Sequence, residues 1–211
     1  MAGGTFITFE GGDGSGKTTL IRSLMDRLER NGREVVVTRE PGGSPIAEAI
    51  REVILHVDNT AMDPLTEALL YAASRRQHLA EKVLPALARG AVVVCDRFVD
   101  SSLVYQGYAR GLGIDSVWEI NRFATEGRMP DLTLYLDLDP QIGLSRIEAS
   151  GRRQPDRLDL EGLDFHTRVR EGYRQVAAMF PERIVMLDAS GDPGPLKEQV
   201  WKLVSARLES R

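Results

Sequence analysis

The chain has 211 residues, of which 42% are hydrophobic and 27% are charged, as is usual for a globular protein with one buried core. Its formal net charge of −4 argues against a general nucleic-acid-binding surface, which normally carries a basic excess. No apolar segment is long enough to span a membrane, no export signal opens the chain, and the single cysteine, Cys95, excludes an internal disulfide. We therefore expect a cytoplasmic protein that binds neither nucleic acid nor a membrane.

Short β-branched segments alternate with longer segments of helical periodicity. Most of the predicted strands are almost continuously apolar, as in a parallel sheet covered on both faces, and the five strands span 5–10, 34–38, 91–95, 132–137 and 183–187. The predicted helices span 17–31, 45–56, 64–89, about 98–106, 116–126, 140–150, 162–180 and 195–209. This order predicts an α/β three-layer sandwich, in which helices flank a five-stranded parallel sheet, and a single domain over 1–211.

Three features qualify this assignment. Pro85 lies inside the predicted helix 64–89 and should bend or split it. Residues 107–113 are glycine-rich, and residues 151–161 are charged and contain a proline. We predict that both segments are mobile surface loops, which in compact enzymes are often functional.

A glycine-rich segment follows the first predicted strand and opens the first predicted helix. It reads Gly11-Gly12-Asp13-Gly14-Ser15-Gly16-Lys17-Thr18 and satisfies the P-loop pattern G-x-x-x-x-G-K-[ST]. Glycines let the backbone N–H groups point at phosphate oxygens, and the helix N-terminus adds partial positive charge. We expect Lys17 to bind the β- and γ-phosphates of ATP and the Thr18 hydroxyl to bind Mg²⁺. The fold predicted is therefore of the P-loop NTPase type.

The class of P-loop protein follows from other motifs. The chain has neither the N-K-x-D pattern of GTPases nor the LSGGQ signature of transporter ATPases, and it is too short for a second helicase motor domain. Asp96-Arg97 follows the third predicted strand, at the edge of the sheet where the P-loop should lie. There the Asp96 carboxylate can bind Mg²⁺, and the Arg97 guanidinium can bind a phosphate. A compact kinase of a small acceptor remains.

Further segments resemble the bacterial thymidylate kinase (dTMP kinase) family over essentially the whole chain. They read FEGGDGSGKTT (9–19), TREPGG (38–43), LYAASR (70–75), DRFVDSS (96–102), YQG (105–107), PDLT (130–133) and DR (156–157). The P-loop is shared by many enzymes, whereas REPGG, DRF-x-DSS and YQG in this order are much more specific. The resemblance implies that ATP phosphorylates dTMP, with Mg²⁺, in an enzyme that forms homodimers.

The resemblance also implies where the phosphate and sugar of dTMP bind. Arg97 corresponds to the arginine that binds the acceptor phosphate, and Arg51 assists it. Asp13 resembles a P-loop carboxylate that contacts the acceptor sugar. Glu40, within REPGG, belongs to the same dTMP site.

The base end of the dTMP site is implied in the same way. Tyr71 stands where the family usually has a phenylalanine that stacks on thymine, and its hydroxyl adds a group that needs a partner. Arg75 follows one helical turn later, where it could donate to a base carbonyl. Ser102 takes the place of a small polar residue at the thymine edge. Tyr105 and Gln106 border the sugar and base, where a ring would crowd a ribose 2′-hydroxyl.

Phosphoryl transfer needs positive charge near the equatorial oxygens, yet P-loop positions 12–15 contain no arginine. The resemblance implies that a mobile lid at about 146–161 supplies it through Arg152 or Arg153. It further implies that Arg157 contacts the donor phosphates, that Arg146 lies near the adenine, and that the loop beginning at Asp188 borders the adenine. The predicted catalytic residues are Lys17, Asp13, Arg97, Arg152 and Arg153.

Two alternatives stay open at this point. The acceptor could be another nucleoside monophosphate or a deoxynucleoside, or the chain could be a nucleotide-binding regulatory module without transferase activity. The sequence does not distinguish the role of Arg152 from that of Arg153. It also leaves open the tolerance for dUMP and the oligomeric state.

Overall fold

The fold is given by a computed structural model that describes residues 3–150, 157–158 and 161–209. One all-parallel sheet has the strand order β2-β3-β1-β4-β5. Its strands are Thr5–Glu10 (β1), Val35–Arg39 (β2), Val92–Asp96 (β3), Leu132–Asp137 (β4) and Ile184–Asp188 (β5). The predicted α/β fold and its strands are confirmed, and no strand bound is shifted by more than one residue.

Helices join the strands and cover both faces of the sheet. They are Lys17–Arg30 (α1), Pro45–Leu55 (α2), Pro64–His78 (α3), Leu84–Ala88 (α4), Val99–Ser102 (α5), Ile114–Thr125 (α6), Pro140–Ser150 (α7), Leu163–Met179 (α8) and Pro193–Glu209 (α9). Two further turns are π-helical, Leu79–Val83 and Leu103–Ala109. In the described part of the chain, no helix combines the length and the apolar character that crossing a membrane requires.

The core has two parts, one on each face of the sheet. On one face, α1 and α9 pack against alternate strand residues such as Ile7, Phe9 and Leu134. On the other face, α4 to α6, α8 and the two π-helical turns pack against Phe6, Val93 and their neighbours. This alternation fixes each strand in register, so the carboxyl ends of β1 and β3 lie side by side.

Two predictions about irregular segments have different outcomes. The predicted helix 64–89 is split by the π-helical turn that precedes Pro85, which has no N–H to donate. The predicted loop 107–113 was wrong for its first three residues, which complete the second π-helical turn. Gly107 permits this packing, because a Cβ there would lie 3.1 Å from the Cα of Ile114 in α6.

Candidate active site

A cleft of about 950 Å³ opens at the carboxyl edge of the sheet. The P-loop and the end of β3 line one part of it, and α2, α3 and the second π-helical turn line the other. The predicted site residues in its walls are Asp13, Gly14, Ser15, Gly16, Lys17, Thr18, Glu40, Arg51, Tyr71, Arg75, Asp96, Arg97, Tyr105, Gln106 and Arg146. Among the described residues, those predicted for the site but outside these walls are Gly11, Gly12, Ser102, Arg157 and Asp188.

The P-loop is held in shape by close backbone packing. Gly14 has φ +74°, and a Cβ there would lie 2.2 Å from the carbonyl oxygen of Gly143 in α7, so no larger residue fits. Lys17 Nζ donates to the carbonyl oxygens of Gly11 and Gly12, both at 3.1 Å. Burial, followed by the Arg97 charge, lowers the pKa of Lys17. Binding of an anionic phosphate would favour the charged ammonium and so offset this burial.

The residues beside the P-loop fit the Mg²⁺ that accompanies ATP. Thr18 and Asp96 both line the cleft, on α1 and at the end of β3. Asp96 Oδ1 is buried and has no hydrogen-bond partner among the described residues. A buried carboxylate oxygen without a partner is costly, and a hard cation that prefers oxygen ligands would supply one. No group of three or more metal-binding side chains occurs in the described ranges.

Arg97 is held at the centre of the cleft. Its φ is +70°, an uncommon value for a residue with a Cβ, and its backbone N–H donates to Phe9 O at 2.9 Å. Its Nη2 donates to Asp13 Oδ1 at 2.9 Å. Its Nη1 donates to the hydroxyls of Tyr173 and Ser101, at 3.1 and 3.3 Å. A backbone strained in this way is typical of functional positions, and it directs this guanidinium beside the P-loop.

Arg75 lies in α3 and is 1% exposed, although it lines the cleft. Its Nε donates to Glu40 Oε2 at 2.7 Å, and its Nη1 donates to Ser102 Oγ at 3.0 Å and to Asn121 Oδ1. Its Nη2 donates to Phe98 O at 3.0 Å. A guanidinium has five N–H groups, so within the described structure one hydrogen on Nη2 is left for a ligand. This geometry suits a single base carbonyl.

Aromatic and amide side chains complete this end of the cleft. Tyr71 precedes Arg75 by one helical turn, and burial raises its pKa, as does the Glu67 carboxylate. Gln106 Nε2 donates to Glu67 Oε1 at 2.8 Å, so the orientation of the Gln106 amide is fixed. The hydroxyl of Tyr105 is buried without a hydrogen-bond partner in the described part of the chain. Both phenols stay neutral and can donate to a ligand.

Arg146 in α7 lines the cleft beside the P-loop. Its Nη1 donates to Gly14 O and to Ala189 O, both at 3.3 Å, so it joins the P-loop to the loop after β5. Asp188 lies outside the cleft walls and accepts from the backbone N–H of Ser190 at 2.9 Å. Asp188 thus shapes the loop that Arg146 contacts and does not itself line the cleft.

Two of the predicted residues have other neighbours than expected. Arg157 donates through Nε to Ile54 O at 2.9 Å and through Nη2 to Glu67 Oε2, so it packs on α2 and α3 instead of beside the P-loop. Glu67 is buried and needs a cation, which explains this position. Ser102 accepts from Arg75, and its neighbour Ser101 lines the cleft instead. The predicted lid arginines, Arg152 and Arg153, lie outside the described residues.

Several residues that shape the site were missed by sequence reasoning. Glu10 and Ser101 stand inside matched segments, FEGG and DRFVDSS, so a role could have been sought for them. Glu67, Asn121 and Tyr173 lie on helices whose periodicity predicts burial and gives no sign of a polar role.

Comparisons with known proteins agree with this geometry. A family model described as Thymidylate kinase matches residues 9–200. A thymidylate kinase of Geobacillus thermodenitrificans is 58% identical over 206 residues, which cover 98% of this chain and 92% of the relative. One of Halalkalibacterium halodurans is 55% identical, with 99% of each chain covered. One of Clostridium novyi is 57% identical over 95% of this chain and 98% of its own. The similarity therefore spans both halves of the cleft.

Proposed function

This chain belongs to the thymidylate kinase family and is an ATP-dependent kinase of dTMP, and we propose that it transfers the γ-phosphoryl group directly between two nucleotides bound in one cleft. The observation that carries this proposal is the placement of Lys17 and Arg97 in the same cleft walls. One cation serves the donor phosphates and the other serves the acceptor phosphate, which supports in-line attack by an acceptor oxygen. Catalysis is then positioning and charge stabilisation without a covalent intermediate.

Each half of the cleft has its own task. The P-loop N–H groups and Lys17 bind the ATP phosphates. Thr18 and Asp96 would hold the Mg²⁺ that accompanies ATP, which would supply charge neutralisation there. Arg97 orients the dTMP phosphate, with Arg51 beside it. A lid arginine, Arg152 or Arg153, completes the charge stabilisation when the lid excludes water.

The base end of the cleft supports thymine as the acceptor base. Tyr71 offers a ring for stacking, and the one remaining Arg75 hydrogen offers a donor to a carbonyl. Cytosine has an amino group where thymine has its 4-carbonyl, and it lacks the methyl group. Guanine has a larger ring system. A site built around one donor therefore rejects them through unpaired polar groups.

A panel of acceptors tests this proposal. Purified protein with Mg²⁺ and ATP is given dTMP, dUMP, dCMP or GMP, and the diphosphate product and ADP are quantified. We expect dTMP to give the highest kcat/KM, and a preference for any other acceptor would overturn the assignment of thymine. Omission of Mg²⁺, with EDTA present, should stop turnover.

We also propose that the enzyme is a cytoplasmic homodimer. Apolar side chains on neighbouring helices α3 and α6 are exposed, with Leu65 at 49%, Leu69 at 52% and Phe123 at 90%. Exposed apolar side chains on neighbouring helices are typical of a subunit interface. Light scattering coupled to gel filtration should give a dimer that Phe123→Asp converts to a monomer; a wild-type monomer would contradict the proposal.

A further inference from the structure

Three side-chain oxygens form a closed triangle at the end of β1. Glu10 Oε2 lies 2.5 Å from Ser101 Oγ and 2.8 Å from Tyr173 Oη, and these two hydroxyls lie 2.8 Å from each other. All three distances are hydrogen-bond distances for O–H donors. The other Glu10 oxygen, Oε1, accepts from the Phe98 backbone N–H at 2.7 Å. Glu10 is completely buried, so water does not compensate for a missing bond.

The triangle has three edges, and each edge needs one hydrogen. Ser101 and Tyr173 supply one hydroxyl hydrogen each, which leaves one edge without a hydrogen when Glu10 is ionised. Arg97 Nη1 also donates to both hydroxyls, but it does so from outside the triangle and contributes no hydrogen to an edge. A third hydrogen on Glu10 Oε2 would satisfy every edge, with each oxygen donating once around the ring.

We propose that Glu10 carries a proton in the resting enzyme and that the resulting ring of Glu10, Ser101 and Tyr173 positions Arg97 for the acceptor phosphate. In this ring both hydroxyls keep a lone pair directed at Arg97 Nη1, at 3.1 and 3.3 Å. The ring thus fixes one side of the guanidinium, and Asp13 fixes the other at 2.9 Å. Glu10 is a positioning residue, because its effect on the acceptor passes through Arg97.

Loss of this proton would disturb Arg97 in two ways. Both hydroxyl hydrogens would turn to the Glu10 carboxylate, and the Ser101–Tyr173 contact would become a repulsion between lone pairs. A buried negative charge would also appear behind Arg97 and would compete with the acceptor phosphate for it. Deprotonation of Glu10 should therefore weaken binding of dTMP, and this step rests on the proposed role of Arg97 as its phosphate ligand.

The charges around Glu10 agree with this reading. Burial, the largest cause, and the Asp100 carboxylate raise the pKa of Glu10 from 4.5 to about 7, against the lowering effect of Ser101, Arg97 and Tyr173. Asp100 itself is paired with Arg183 at 2.7 Å. The other titratable groups whose charges act on Glu10 or respond to it are Lys17, Cys95 and Tyr105.

Calorimetric titration of dTMP tests the effect on binding. Glu10→Gln supplies amide hydrogens that do not titrate, whereas Glu10→Ala removes the ring. Between about pH 6 and about pH 8.5 we expect the Kd of wild type to rise about tenfold relative to that of Glu10→Gln, since one linked proton changes affinity up to tenfold per pH unit. Ionisation of dTMP is common to both proteins and cancels in the ratio. Glu10→Ala should bind weakly at both pH values.

Infrared difference spectroscopy tests the proton without nucleotide. Wild type at about pH 6 should show the carbonyl stretch of a buried carboxylic acid, and this band should disappear near pH 8.5 and in Glu10→Gln. Glu34→Gln, which changes an exposed carboxylate paired with Arg89, should retain it. Absence of the band, or a constant Kd ratio between wild type and Glu10→Gln, overturns the proposal. If wild type bound no dTMP, the proposed function would fail, but the infrared band would still show whether Glu10 is protonated.

Discussion

Replacement of Arg157 by methionine should destabilise the fold and weaken dTMP binding together. Arg157 is 6% exposed and Glu67 is 1% exposed, and their ion pair joins the segment after α7 to α3. The same Glu67 carboxylate accepts from Gln106 Nε2 at 2.8 Å, in the wall of the cleft. Methionine keeps much of the apolar stem of Arg157 and removes only its charge and hydrogen bonds.

The magnitude follows from what Glu67 retains. Removal of one partner from a buried ion pair usually costs about 3–5 kcal/mol, because the other charge is left without compensation. Here Arg110 Nη2 remains 3.6 Å from Glu67 Oε2, and Gln106 still donates to Oε1. We therefore expect a loss of about 2–3 kcal/mol in the free energy of unfolding. In a domain of this size this lowers Tm by about 5–10 °C.

Urea and thermal unfolding at fixed protein concentration measure the loss. The matched control is Arg89→Met, which breaks a pair with Glu34 whose side chains are 56% and 54% exposed and should cost less than about 0.5 kcal/mol. In the double mutant with Glu67→Gln, the cost should be smaller than the sum of the single costs. The Kd of dTMP should rise several-fold, since the Glu67 carboxylate to which Gln106 donates loses the Arg157 contact that fixes its position. An Arg157→Met protein as stable as the control would refute the reasoning.

Three further changes test other parts of the site. Lys17→Ala should abolish dTDP formation, measured as product per enzyme; a wild-type protein that forms none would instead be a regulatory module. Arg152→Ala with Arg153→Ala should lower turnover about 10³-fold or more and leave the Kd of dTMP nearly unchanged, and normal turnover would remove the lid assignment. Wild-type unfolding free energy should fall by about 3 kcal/mol as pH rises from 4.5 through about 7, because the folded state holds the Glu10 proton longer than the unfolded state does. Urea curves of Glu10→Gln should lack this fall, and parallel curves for the two proteins would contradict it.

The elements that carry the P-loop were predictable because they depend on local signals. Strand β1 is buried at every position and places Phe6, Ile7 and Phe9 in the core, as expected for a strand of a parallel sheet covered on both faces. The glycines that follow it permit backbone approaches that other residues exclude, as Gly14 does against Gly143. The positions of Asp96 and Arg97 were predictable for a related reason. The carboxyl ends of parallel strands lie at the same edge of a sheet, so residues that follow β3 must lie at the edge that carries the P-loop.

The partners of individual side chains were less predictable. Ser101 and Ser102 are neighbours in α5, yet one lines the cleft and the other accepts from Arg75, because adjacent helical residues point about 100° apart. A helix of four residues is too short to show a periodic pattern, so the sequence does not predict which of its side chains face the cleft. The position of Arg157 was equally hard to predict from local sequence. It lies within the predicted lid in the sequence, but the buried charge of Glu67, ninety residues earlier, determines where it packs.

Buried carboxylates explain why the acceptor half of the cleft needs so many distant partners. Glu10, Glu40 and Glu67 are 0%, 4% and 1% exposed, and each contacts a side chain that lines the acceptor half. Glu40 contacts Arg75 directly, and Glu67 contacts Gln106 directly. Glu10 is connected to Arg97 through the hydroxyls of Ser101 and Tyr173. A donor nucleotide can be bound by P-loop N–H groups, which the local backbone orients, whereas an acceptor base must be read by side chains that have several rotamers. A buried carboxylate behind each such side chain selects one rotamer, and its desolvation cost is offset only when that rotamer is kept. Selectivity for the acceptor therefore depends also on the buried carboxylates that fix the side chains of the cleft wall.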